Sequence, residues 1–113
     1  MKTQELNEYL KKLEGPGLVE KLDTNQDKLI IKFCGDVGGP YDDREIEITF
    51  HDVEIVNLPL SLILPARLEQ ANEIKFKDVI GQNYKSSERT LYFIHDDTGC
   101  RWHVYCGGYT VNV

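Results

Sequence analysis

The stretch Arg89-Thr90-Leu91-Tyr92-Phe93-Ile94-His95-Asp96-Asp97-Thr98-Gly99-Cys100-Arg101-Trp102-His103-Val104-Tyr105-Cys106 decides the fold class. Two β-rich runs, Arg89 to Ile94 and Cys100 to Cys106, flank the turn cluster His95 to Gly99, which predicts a β-hairpin. Pairing His95 with Cys100 sets Phe93 opposite Trp102 and Leu91 opposite Val104, so that these four share one face. Tyr92, Ile94, Arg101, His103 and Tyr105 then form the other, amphipathic face. Gly107-Gly108 interrupts the strand, and Tyr109, Val111 and Val113 resume the alternation.

Upstream, the same period of two recurs. Leu29, Ile31 and Phe33 alternate with Ile30, Lys32 and Cys34, and Ile46, Ile48 and Phe50 alternate with Glu45, Glu47, Thr49 and His51. Each run reads as a strand, separated from the other by the loop formers of residues 35–43. After Phe50 the apolar residues move to odd positions, Val53 and Ile55, which requires a β-bulge or corner near His51-Asp52. Five of seven residues match between Glu47–Val53 and Glu73–Val79. Two strands that each turn a corner at Asp-Val account for this more simply than an internal duplication. Shorter strands are expected near Leu18 to Leu22 and Leu60 to Leu64, and a turn of helix at Arg67 to Asn72.

The period is different at the start of the chain. Leu6, Tyr9, Leu10 and Leu13 lie at i, i+3, i+4 and i+7, one stripe of a helix over about residues 4–14, with Thr3 placed to cap it and Gly15-Pro16-Gly17 to end it. A helix of about three turns needs a sheet to dock on. The expected architecture is therefore mainly β with one N-terminal helix (α+β): an antiparallel sandwich or partly closed barrel of about 6–8 strands, its body spanning about 28–113 in a single domain, 1–113.

With 113 residues, 41% hydrophobic and 28% charged, the chain matches one globular domain. The N-terminus has no apolar signal-peptide core, and Leu58 to Ala66 is too short and proline-broken to span a bilayer. Three cysteines, Cys34, Cys100 and Cys106, are an odd number that favours reduced thiols and a cytoplasmic setting.

Motifs that carry chemistry fail on their details. Asp23, Asn25 and Asp27 have the spacing of a calcium loop, but Lys28 replaces the turn glycine and Cys34 the closing glutamate. His95, Cys100, His103 and Cys106 cluster in sequence, yet Cys100 and Cys106 on one strand stand about 20 Å apart, which argues against a shared zinc ion. No cofactor, metal or catalytic residue is expected.

Charge is more informative. Residues 36–54 hold Asp36, Asp42, Asp43, Glu45, Glu47, Asp52 and Glu54 against Arg44 alone, a balance of −6 that equals the net charge of the whole chain. Such a strip repels nucleic acid and anionic lipid and steers basic partners. The leading expectation is a non-enzymatic binding module that docks a basic protein through Asp42, Asp43, Glu45 and Glu47, as an inhibitor or immunity-type protein would. One rival is a small-ligand or enzymatic pocket lined by Tyr92, Trp102, His103 and Tyr105. Another is an accessory homo-oligomeric domain whose exposed aromatic face is a subunit contact.

Overall fold

The structure is a computed structural model that describes residues 2–13, 15–21, 28–36, 43–59, 61–82 and 88–112, with backbone alone for 15–21, 34–36 and 43–45. In chain order its elements are α1 (Thr3–Leu10), β1 (Gly15–Lys21), β2 (Leu29–Asp36), β3 (Asp43–His51), β4 (Ile55–Asn57), β5 (Ser61–Leu64), β6 (Arg67–Gln70), α2 (Glu73–Ile80), β7 (Thr90–His95), β8 (Arg101–Cys106) and β9 (Gly108–Asn112). The strands form two antiparallel sheets, ordered β5-β1-β2-β3-β9 and β4-β8-β7-β6. The fold is a mostly-β α+β sandwich, not closed into a barrel.

Alternation builds the main core. Ile31 and Phe33 of β2, Ile46, Ile48 and Phe50 of β3, and Leu62 and Leu64 of β5 face Leu68, Tyr92, Ile94, Val104 and Cys106 of the second sheet. Leu6, Leu10 and Leu13 join them, which seats α1 on the layer, as its stripe requires. Each such buried aliphatic or aromatic side chain contributes about 1.5–3 kcal/mol.

The two sheets meet in one bent ribbon. β3 pairs with β9 up to His51 opposite Gly108, and β4 pairs with β8 from Ile55 opposite Tyr105. Three residues, 52–54, therefore oppose two, 106–107, which makes a one-residue bulge. Asp52 takes the left-handed conformation there, with φ 53°. Gly107 N–H donates to the His51 carbonyl and Glu54 N–H to the Tyr105 carbonyl, both at 2.9 Å, so the ladder continues through the corner. The phase flip after Phe50 is this bulge. Gly107 suits the close approach, since a Cβ on it would lie 3.1 Å from the Asp52 Cβ, a tight contact.

Several expectations are corrected. β7 and β8 pair His95 with Arg101, not Cys100, so Phe93 opposes His103, Leu91 opposes Tyr105 and Ile94 opposes Trp102. Tyr92, Ile94, Trp102 and Val104 thus face the main core. Leu91, Phe93 and Tyr105 form a second cluster on the opposite face, under Phe76, Val79 and Ile80 of α2. Glu73 to Val79, read as a second copy of the β3 corner, is helical, which removes the duplication. The Asn72 side chain caps this helix by accepting from the Lys75 N–H at 2.8 Å. Arg67 to Gln70 is a strand, not a turn of helix. α1 ends at Leu10, and Thr3 does not cap it: the N-cap is Lys2, without a side-chain bond, and the Thr3 hydroxyl bonds that of Tyr109 at 2.6 Å. Gly15-Pro16-Gly17 opens β1 instead of forming a break between elements.

Candidate functional site

The acidic segment lies along the β2–β3 pair. Lys32 stands opposite Glu47, Cys34 opposite Glu45, Gly35 opposite Arg44 and Asp36 opposite Asp43. β1 accompanies β2 only as far as Phe33, and β9 accompanies β3 only as far as Glu47. Among the described residues, therefore, positions 34–36 and 43–45 pair only with each other, as a two-stranded end extending past its neighbours. It places Asp43 and Glu45 in one short stretch and sets two aspartate positions directly opposite, an arrangement that costs free energy in isolation. Asp42 and the Asp23-Asn25-Asp27 segment lie outside the described residues.

Two members of the acidic run are drawn away from this end. Arg89, just before β7, donates from Nε to the Asp52 carbonyl at 3.0 Å. Its terminal nitrogens reach the Asp52 carboxylate at 3.0 Å and the Glu54 carboxylate at 3.1 Å. These acids neutralise a cation at the bulge, which the spacing of acids in sequence could not reveal, because Arg89 comes from 35 residues downstream of Glu54. What remains concentrated is the β2–β3 end.

The four residues considered for a pocket do not converge. Tyr92 and Trp102 face the main core, while Tyr105 is buried in the second cluster and His103 lies on that same outer face. Burial, and secondarily Arg101, holds His103 below the usual imidazole value. Burial raises the Tyr92 phenol. Cys100 is exposed and Cys106 buried at the far end of β8, where burial pushes the thiol up to about 11. The Cys34 side chain is outside the described set.

The second sheet carries a feature the sequence order concealed. Register places Arg67, His95 and Arg101 side by side across β6, β7 and β8. One carboxylate, Glu69, serves this row. It accepts from Lys75 Nζ at 3.2 Å and lies 3.6 Å from Arg67 and 3.5 Å from His95 Nε2, which has no hydrogen-bond partner among the described residues. Burial works to raise the Glu69 carboxyl; Lys75, and then His95, outweigh it and hold the group below the usual carboxylate range. Arg101 has no carboxylate partner among the described residues and lies over the Phe93 ring, 4.2 Å from its centroid.

Beside this row a groove of about 630 Å³ runs between α1 and the β5–β6 turn, lined by Gln4, Asn7 and Lys11 on one side and Pro65, Ala66 and His95 on the other. The signal for it was the ridge of polar residues on the outer side of α1, whose neighbours only the tertiary fold supplies. Among the described residues no helix is long and apolar enough to cross a membrane. No protein-family model matches the chain, and neither a curated protein nor a solved structure shows a significant likeness to it.

Proposed function

We propose that this chain is a small, non-enzymatic, cytoplasmic binding module that docks a basic protein through the acidic end of the β2–β3 pair. The reading rests on one observation: among the described residues, Asp36, Asp43 and Glu45 lie where the two strands pair only with each other, and Glu47 follows at the last position that β9 accompanies. Asp42, Asp43, Glu45 and Glu47 supply the contact, and the opposed positions of Asp36 and Asp43 give the free module an unfavourable repulsion that a cationic partner relieves. Charge of this sign selects against nucleic acid and favours fast, salt-sensitive association with lysine- and arginine-rich surfaces.

Affinity capture from the native cell extract tests the proposal, comparing wild type with the double variant Glu45→Lys/Glu47→Lys. A basic protein retained by wild type, released by moderate salt and lost to the variant supports it. A partner that tolerates both reversals, or a bound fraction insensitive to salt, refutes it.

A further inference from the structure

Like charges placed directly opposite on neighbouring strands destabilise a sheet. The row Arg67, His95 and Arg101 spans three strands in register, with Arg67 and Arg101 on either side of the imidazole. Glu69 is shared between Arg67 and Lys75, and Arg101 has no carboxylate partner among the described residues, in a protein whose net charge is −6. One carboxylate and one aromatic ring are the partners recorded for this row, and an anionic ligand would add a second negative charge to it.

The neighbouring groove supplies the rest of a site. Its volume of about 630 Å³ falls in the range of small-molecule pockets, about 300–1,000 Å³. Pro65 and Ala66 give it an apolar wall, and its charged lining is Lys11 and Arg67 against Glu8, with His95 at the border with the row. An apolar surface that runs into a cationic one is complementary to one kind of small molecule: a compact apolar or aromatic body that bears a single oxyanion.

We propose that the groove between α1 and the β5–β6 turn binds a small amphipathic organic anion, its body against Pro65 and Ala66 and its oxyanion at Arg67 and His95, with Arg101 adding charge from the far side of the row. Arg67 is the principal anchor, because its side chain is 55% exposed and, among the described residues, held only by the long 3.6 Å contact to Glu69. The site is separate from the acidic β2–β3 end and does not depend on the role proposed there.

Titration with anilinonaphthalene sulfonate, an aromatic body with one sulfonate, tests it on the intact protein, with the uncharged phenylnaphthylamine as the matched probe lacking the anion. Saturable one-to-one binding is expected, with NMR shifts centred on the Ala66 methyl and the His95 ring. Arg67→Gln weakens it at least about tenfold, the equivalent of losing one charge-assisted hydrogen bond. The neutral probe binds at least about tenfold more weakly than the sulfonate. Gln4→Trp, a change on the exposed side of α1 that fills the groove, blocks binding and leaves the chain folded, as its far-UV spectrum would show. Glu45→Lys/Glu47→Lys binds the probe as wild type does. Non-saturable binding, equal affinity for the two probes, or an Arg67→Gln variant that binds normally overturns the proposal.

Discussion

The Asn7 carboxamide closes on the backbone of Leu68 at both ends: Oδ1 accepts from the Leu68 N–H at 2.7 Å, and Nδ2 donates to the Leu68 carbonyl at 2.8 Å. Among the described residues β6 is the last strand of its sheet, and these two backbone groups pair with no further strand there. One helical side chain thus does for the edge what a neighbouring strand would do, and it also fixes the position of α1.

Asn7→Ala removes both bonds and leaves a part-buried donor and acceptor unpaired. The expected loss is about 1–3 kcal/mol in urea unfolding, with faster hydrogen exchange at the Leu68 amide. Asn7→Asp restores only the acceptor half and falls between the two.

Gly107→Ala drives a methyl against Asp52 at the corner. A destabilisation of about 1–2 kcal/mol is expected, read as a lower Tm. In the background Asp52→Gly the same substitution costs less, because the atom it meets at 3.1 Å is gone. A thermal double-mutant cycle measures this coupling.

Glu69 links stability to pH. Its carboxyl is held below the ordinary value in the folded chain, so the stabilisation is fully present above the unfolded-state value and is lost as pH falls through the folded one. The stability gap between wild type and Glu69→Gln should be flat near pH 7 and close in acid, below about pH 4. Chemical denaturation at a series of pH values tests this.

The two described thiols should differ in reactivity. With its thiol raised to about 11, Cys106 stays protonated and buried at pH 8, while Cys100 is exposed in the hairpin turn. Brief alkylation followed by peptide mapping is expected to find Cys100 labelled and Cys106 unmodified until denaturant is added.

The sequence was most legible where one face of an element is wet. Leu6, Leu10 and Leu13 report α1 because the rest of that helix is polar, and Ile46, Ile48 and Phe50 report β3 because Glu47 and Thr49 alternate with them. The corner after Phe50 was legible for the same reason, since a change of phase shows only against a regular background. β7 gave no such contrast. Leu91, Tyr92, Phe93 and Ile94 are all buried, the odd pair beneath α2 and the even pair in the main core, so apolar content could not choose between adjacent registers. The second face is apolar because α2 covers it, and α2 was itself misread. Ile74 and Phe76 alternate like a strand, but Ile74 is 72% exposed and the half-buried stripe is Phe76, Val79 and Ile80, at i, i+3 and i+4, between the cap Asn72 and Gly81. The Arg67, His95 and Arg101 row was not legible at all, since it depends on the register of three strands.

The bulged ribbon has a kinetic consequence. It joins residues 47–57 to residues 103–112, and the pair His51 and Gly108 alone closes a separation of 57 residues. Both sheets need this closure, one for its β3–β9 edge and the other for its β4–β8 edge, so neither can mature as an independent folding unit. The chain should fold in one slow, cooperative step on the millisecond-to-second scale set by such distant contacts. Cutting the backbone between β4 and β8 should therefore stall both layers together.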